Sequence, residues 1–146
     1  MLQGKKILIG VSGSIAAYKT AFLIRLLKKQ KAEVKVVCTP SASSFIGKLT
    51  LATLSENEVY DSFYNQNQTD WTNHVELGLW ADLFVIVPAT ANTIAKMANG
   101  ICDNLLLAVY LSAKCKVMVA PAMDLDMFVH PSTQNNLVKI IGFGNI

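Results

Sequence analysis

Charge and cysteine are scarce in this sequence. Only 16% of its 146 residues are charged, and only three are cysteine. Cys38, Cys102 and Cys115 form no Cys-x-x-Cys pair and no Cys/His cluster, so neither a zinc site nor a disulfide framework is indicated. We therefore expect three buried thiols and no bound metal.

Signals for a membrane or for export are also lacking. No apolar stretch reaches the ~18 residues that a membrane-spanning helix needs. The N-terminal apolar run ends at Val11, which is too early for a secretory signal. We therefore expect a cytoplasmic protein that does not bind membranes.

Concentrated positive charge is missing as well, whereas apolar residues are abundant. The formal net charge is +3, and the lysines lack the interleaved aromatic residues of a single-strand binding surface. This argues against nucleic acid and weakly favours a phosphorylated small molecule. The hydrophobic fraction of 52% and the mean hydropathy of +0.37 are high for a small monomer. We therefore expect an oligomer.

Short apolar runs alternate with helical segments along the chain. A helix is predicted over residues 15–30, and a helical region over 90–111 is predicted to be interrupted near 99–100. Residues 56–69 are predicted to form a loop or lid. Continuous apolar strands between helices predict a doubly wound α/β fold, a Rossmann-like or flavodoxin-like parallel sheet with helices on both faces. The predicted strands are residues 5–11, 33–38, 83–87 and 116–120.

Small and hydroxyl residues follow three of these strands, at 12–14, 39–44 and 88–93. Ligands of parallel sheets bind at the carboxyl ends of strands, where such loops offer backbone N–H groups and hydroxyls to a phosphate. Tight turns and helix caps are the alternative roles of these residues. The first loop lacks the three-glycine dinucleotide motif and the Gly-Lys-Ser/Thr of a P-loop, which disfavours both of those ligand classes.

Two histidines are present, and neither is part of a metal-ligand pattern. His74 lies between Trp71 and Trp80. A lone histidine is more often structural than catalytic, and the tryptophans are compatible with simple packing of a helix on the sheet. His130 precedes Pro131 and is predicted to lie in a turn or at a helix start.

Four motifs together resemble one known family. Residues 13–19, 73–77, 88–93 and 121–128 are similar, in order and spacing, to the homo-oligomeric flavin-containing cysteine decarboxylases. The resemblance extends over nearly the whole chain. It implies a single FMN-binding domain over residues 1–146.

The resemblance also implies roles for individual residues. His74 is similar to the active-site base of the family, and an imidazole suits proton transfer near neutral pH. The implied substrate-binding residues are Ala122, Met123 and Asp124. The implied FMN-binding residues are Gly13, Ser14, Ile15, Thr39, Ser41, Thr90, Ala91, Asn92 and Thr93.

The activity implied by the resemblance is FMN-dependent decarboxylation of 4′-phospho-N-pantothenoylcysteine to 4′-phosphopantetheine in coenzyme A biosynthesis. The substrate is then a phosphorylated cysteine conjugate, and the assembly is a homo-trimer or dodecamer. The flavin oxidises the cysteinyl Cβ–S unit, which gives the electrons of the carboxylate a place to go. Decarboxylation of a peptide's C-terminal cysteine is one alternative. A non-catalytic flavin-binding regulatory subunit is another, although the acidic tail common in such proteins is missing here.

The sequence departs from the family pattern at two places. Asp124 stands where the family usually has an asparagine that binds the substrate carboxylate, so that a protonated Asp124 or another donor would be needed. The substrate-covering flap of the family, with its cysteine proton donor, is expected beyond Ile146. Cys102 is predicted to lie in the helical region and Cys115 at a strand start, so neither is expected to replace the flap cysteine.

Overall fold

The structure is a computed structural model, in which residues 1–64 and 71–146 are described. Five strands form one sheet in which every pairing is parallel. The strands are β1 (Lys6–Val11), β2 (Glu33–Cys38), β3 (Val59–Tyr60), β4 (Leu83–Ala89) and β5 (Lys116–Pro121). Their spatial order is β3-β2-β1-β4-β5. The winding reverses between β1 and β4, which confirms the predicted doubly wound α/β fold.

The described residues also contain seven α-helices and two short 3-10 segments, Ile15–Ala17 and Pro40–Ser44. The helices are α1 (Tyr18–Lys29), α2 (Lys48–Ser55), α3 (His74–Trp80), α4 (Ala91–Asn99), α5 (Leu105–Ser112), α6 (Leu125–Val129) and α7 (Pro131–Gly142). None of the helices in this part of the chain is long and apolar enough to cross a membrane.

The core lies on both faces of the sheet. Along β1, Ile7 and Ile9 point into a cluster that includes Ile24 of α1, while Leu8 points into a cluster that includes Leu106 of α5. Each fully buried Leu or Ile contributes about 1.5–3 kcal/mol relative to its exposed state. Two-sided burial explains why the strands are continuous apolar runs instead of alternating ones.

The predicted interruption of the helical region is confirmed between α4 and α5. Gly100 takes the left-handed conformation with φ 69° and ends α4. Asn104 then begins α5 by accepting the Leu107 N–H at 3.0 Å. Cys102 lies in the connection and is exposed, so the prediction that it is helical and buried is wrong. Cys38 is buried, whereas Cys115 is only partly buried and lies just before β5.

Two elements lie where the sequence indicated none. Strand β3 falls within the predicted loop 56–69 and pairs with Val36 and Val37 of β2; two residues are too few to give a periodic signal. Residues 65–69 of that predicted loop lie outside the described residues. Helix α6 was also not predicted, and for α7 the sequence indicated only a turn or a helix start at His130. His130 accepts the Ser132 N–H and Pro131 occupies the first position of α7, which confirms the helix start expected there.

Candidate functional site

Three segments with predicted cofactor residues come together at the carboxyl end of the sheet. Segment 1 (residues 13–15) follows β1, segment 2 (39–41) follows β2, and segment 3 (90–93) follows β4. These three strands are neighbours in the sheet. We call the three segments the strand-end group.

Segments 1 and 2 approach each other closely at Gly13. A Cβ atom built on Gly13 would lie 2.5 Å from Ser41 Oγ and 2.8 Å from Ser41 Cβ, so only glycine allows this approach. Thr39 Oγ1 lies 3.2 Å from Ser41 Oγ, and the Thr39 N–H donates to the Val11 carbonyl at 2.9 Å. Ser14 is a cap as well, because its hydroxyl accepts the Ala16 N–H at 3.2 Å. Segments 1 and 2 are therefore in close contact at Gly13, and segment 2 is hydrogen-bonded to the end of β1.

Segment 3 forms the N-terminus of α4 and is linked to the end of β1. Thr90 caps α4 by accepting the Thr93 N–H at 3.2 Å. The Thr90 N–H donates to Ser12 Oγ at 3.0 Å, across the boundary between β4 and β1. Sequence patterns placed Ser12 in the first loop but did not single it out, because its partners lie 76 and 78 residues away.

A polar cleft of about 250 Å³ opens between segment 2 and the start of α4. Lys96 and Asp103 both line it and form an ion pair of 2.7 Å between Lys96 Nζ and Asp103 Oδ2, so their charges balance. The N-terminus of α4 supplies partial positive charge, which suits an anion. It is lined by Thr39, Pro40, Ser41, Asn92, Thr93, Lys96, Asp103 and Asn104.

The predicted substrate-binding residues lie beside segment 3. The Ala122 N–H donates to the Ala89 carbonyl at 3.0 Å, and Met123 packs on the core. The Asp124 carboxylate is exposed and caps α6, where Oδ1 accepts the Met127 N–H at 2.8 Å. An asparagine would make the same bond through its carbonyl oxygen, so the cap tolerates both residues.

His74 begins α3 and lies among aromatic rings. Asn73 caps this helix by accepting the N–H groups of Val75 and Glu76 at 3.0 and 3.2 Å. The His74 ring centroid lies 6.3 Å from that of Phe63 and 6.5 Å from that of Trp71. We call Phe63, Trp71 and His74 the histidine group.

Nδ1 of the His74 imidazole is buried, and it has no hydrogen-bond partner within the described residues. Buried polar atoms are nearly always paired, so this nitrogen is a candidate for a functional role. In residues 1–64 and 71–146, no hydrogen bond or ring contact joins His74 to the strand-end group. The predicted site residues therefore form two separate regions of the chain.

The chain matches a known protein family over almost its full length. The sequence pattern named Flavoprotein matches residues 1–145. The chain belongs to the Flavoprotein family. The predicted family resemblance is thus confirmed.

Relatives of this flavoprotein are named as decarboxylases. A cysteine/cysteine sulfinic acid decarboxylase from an unknown prokaryotic organism is 58% identical over 100 residues, 68% of this chain and 28% of that protein. A probable phosphopantothenoylcysteine decarboxylase of Streptococcus mutans is 44% identical over 142 residues, 96% of this chain and 79% of the relative. The coenzyme A biosynthesis bifunctional protein CoaBC of Haemophilus influenzae is 42% identical over 95% of this chain, which spans only 35% of that protein. The chain thus spans about a third of several curated relatives.

Solved structures share the fold of the flavoprotein. The FMN-dependent cysteine decarboxylase SpaF superimposes with a TM-score of 0.91 at 31% identity, covering 99% of this chain and 83% of SpaF. A PPC decarboxylase complexed with pantothenoylaminoethenethiol gives a TM-score of 0.81 at 33% identity, covering 98% of this chain and 80% of that one. Because the agreement extends over the whole sheet and its helices, the fold assignment is confirmed by these structures.

Proposed function

We propose that the flavoprotein binds FMN non-covalently at the strand-end group and decarboxylates 4′-phospho-N-pantothenoylcysteine to 4′-phosphopantetheine. The observation that carries this proposal is the polar cradle that three neighbouring strand ends build around Gly13 and Thr90. The 44% identity to a probable phosphopantothenoylcysteine decarboxylase, of which the chain covers 79%, supports the choice of substrate. We also propose that residues 1–146 form a single FMN-binding domain.

The residues of the cradle fit FMN. Hydroxyls, backbone N–H groups and the N-terminus of α4 match the phosphate and the ribityl hydroxyls, and the lack of a side chain at Gly13 lets segment 2 lie against segment 1. Lys96 also lies at this cleft, where the Asp103 carboxylate balances its charge. The residues that would hold the cofactor are Gly13, Ser14, Ile15, Thr39, Ser41, Thr90, Ala91, Asn92 and Thr93.

FMN, when bound, would take two electrons from the cysteinyl Cβ–S unit, which makes loss of CO₂ feasible, and would return them as hydride afterwards, so that the net product is the thiol 4′-phosphopantetheine. The protein has to remove the thiol proton during this step. His74 Nδ1 is buried, aromatic-flanked and unpaired within the described residues, so we assign the role of general base to it. The segment from Ala122 to Asp124 lies next to segment 3 and would hold the substrate there.

A second candidate is decarboxylation of a cysteine with a free amino group. The 58% identity to a cysteine/cysteine sulfinic acid decarboxylase favours it over the 100 matched residues. The Asp124 carboxylate favours it too, because a negative charge attracts an α-ammonium group, which phosphopantothenoylcysteine lacks. The Asp124 carboxylate would also repel the carboxylate of the cysteine, which both substrates carry.

One experiment separates these activities. The purified protein is reconstituted with FMN, checked for the flavin absorbance band, and offered phosphopantothenoylcysteine, free cysteine, cysteine sulfinic acid or a peptide ending in cysteine. Mass spectrometry then identifies the products. We expect a yellow protein and a product lacking CO₂ from phosphopantothenoylcysteine. Failure to retain FMN would remove the whole proposal, while turnover of free cysteine or cysteine sulfinic acid alone would promote the second candidate.

We also propose a homo-oligomer, a trimer or a dodecamer. Helix α1 exposes Tyr18, Phe22 and Leu26 at successive turns, with exposed fractions of 52%, 62% and 60%. Such an apolar stripe is unusual on a monomer surface. Light scattering at micromolar concentration measures the mass directly, and a monomer that still holds FMN would contradict this proposal.

A further inference from the structure

Ser12 is a buried hydroxyl that links two parts of the chain. The residue is 1% exposed. Its Oγ donates to the Pro88 carbonyl at 2.6 Å and accepts from the Thr90 N–H at 3.0 Å. The Ser12 N–H also donates to the Pro88 carbonyl, at 3.2 Å. The residue before segment 1 is thus bonded to both sides of the junction between β4 and segment 3.

Only a side chain that donates and accepts at the same time can serve both partners, and a hydroxyl does so. If alanine replaced Ser12, the Pro88 carbonyl would keep its bond to the backbone N–H of residue 12. The Thr90 N–H would instead lose its acceptor in a partly buried position. The effect of the change therefore falls on Thr90.

Thr90 is hydrogen-bonded to Thr93, a residue that lines the cleft. Its hydroxyl accepts the Thr93 N–H and donates to Thr93 Oγ1, both at 3.2 Å. Thr93 lines the cleft together with Ser41 of segment 2. A displacement of Thr90 would therefore move Thr93, and with it segment 3, relative to segments 1 and 2.

We propose that Ser12 is a positioning residue for the cofactor: its hydroxyl sets segment 3 against segment 1 in the geometry that binds FMN. The inference rests on the proposed FMN function and deepens it. Ser12 itself is assigned no contact with the cofactor. Its contribution acts through Thr90.

The chain offers a matched control in Thr20. This residue is fully buried, and its Oγ1 donates to the Val87 carbonyl at 2.8 Å, one residue before Pro88 on β4. The side-chain hydrogen bond of Thr20 to Val87 involves no residue of segment 3. Ser12→Ala and Thr20→Val each delete one buried donor to adjacent carbonyls of the same strand. They differ in that only Ser12→Ala also removes the acceptor of the Thr90 N–H.

The experiment titrates FMN into wild-type, S12A and T20V apoprotein by flavin fluorescence and records far-UV circular dichroism and thermal midpoints. We expect the two variants to lose similar thermal stability. The FMN Kd should rise on the order of tenfold in S12A and less than about twofold in T20V. In turnover assays S12A should raise the apparent KM for FMN and leave kcat at saturating FMN near the wild-type value.

Equal FMN affinity of S12A and T20V would overturn the inference. An S12A apoprotein without the folded dichroism spectrum, beside a folded T20V, would assign the hydroxyl to folding and overturn it as well. A wild-type protein that binds no FMN would instead remove the proposed function, and this inference with it. The first titration therefore tells the two failures apart.

Discussion

At the strand-end group, the Ser12 hydroxyl donates to the Pro88 carbonyl and accepts the Thr90 N–H, and the Thr90 hydroxyl accepts the Thr93 N–H. In the histidine group, by contrast, Nδ1 of His74 is buried beside aromatic rings without a partner in the described residues. The first arrangement keeps its shape through its own hydrogen bonds, as a cofactor cradle requires. The second leaves a nitrogen that can accept a proton without a partner in the described residues, although an unpaired buried polar atom costs roughly 1–3 kcal/mol. The two regions should therefore respond separately to mutation.

The largest expected effect comes from the histidine group. His74→Asn should lower turnover by about 10²–10⁴-fold, because it removes the general base. FMN affinity should stay within about twofold of wild type, since no hydrogen bond joins His74 to the strand-end group in residues 1–64 and 71–146. Steady-state kinetics and flavin absorbance measure the two quantities.

His130→Asn serves as the control for this variant. His130 caps α7 through its Nδ1, and asparagine is a good cap, so turnover should be unchanged. Loss of FMN by His74→Asn would make the histidine a structural part of the cofactor site and erase the contrast between the regions.

The next largest effect is expected in the strand-end group, where Gly13→Ala should weaken FMN binding. Its Cβ would lie 2.5 Å from Ser41 Oγ, so segments 1 and 2 must separate. Overpacking of about 1–3 kcal/mol corresponds to roughly 5- to 150-fold weaker FMN binding. Fluorescence titration measures the loss.

Two further variants test whether the cause is steric. Gly142→Ala has nothing within 4 Å of the added atom and should bind FMN normally. Adding Ser41→Gly to Gly13→Ala removes the clashing side chain and should restore part of the lost thermal stability. A Gly13→Ala protein that binds FMN as tightly as wild type would show that segments 1 and 2 yield easily.

A smaller effect is expected at the rim of the strand-end group. Asp124→Asn keeps the cap of α6 but removes a negative charge, so the KM for phosphopantothenoylcysteine should fall about threefold, with little change in thermal midpoint. Asp126→Asn, in the first turn of the same helix, is the charge-matched control. If Asp124→Asn raises KM or abolishes turnover, the carboxylate itself is needed, as the free-cysteine activity would require.

The smallest effect concerns Cys38, the last residue of β2. Burial, followed by the Asp61 carboxylate and opposed by Lys48, raises the pKa of this thiol from 9.0 to about 12. The unfolded chain therefore loses this proton first, so the thiol's contribution to stability is complete below pH 9 and declines between about pH 9 and 12. Cys38→Ala should weaken the decline of urea midpoints across that range.

Thiol labelling of the folded protein uses the same residue to report on the strand-end group. Cys102 is exposed and should be alkylated at least about tenfold faster than the buried Cys38. Because Cys38 directly precedes segment 2, its rapid labelling would show that the strand-end group opens readily. That result would contradict the self-supported cradle described above.

Local sequence determined much of this protein. Apolar strands that alternate with helices predicted the doubly wound sheet, and the hydroxyl-rich segments after β1, β2 and β4 predicted where the candidate site lies. The Asn-Gly pair at 99–100 predicted the interruption of the helical region, because cap preferences act within a few residues. These features depend on short-range periodicity and backbone preference.

Only the tertiary structure decided the remaining features. The two-residue strand β3 exists because it pairs with β2, and Cys102 is exposed because two helix caps leave it in a connection. The double role of Ser12 depends on partners 76 and 78 residues away. The burial of His74 Nδ1, without a hydrogen-bond partner in residues 1–64 and 71–146, depends on the packing of Phe63 and Trp71 beside it. Local preference carries no information on such contacts, since they arise when distant elements pack together and their polar atoms must find partners.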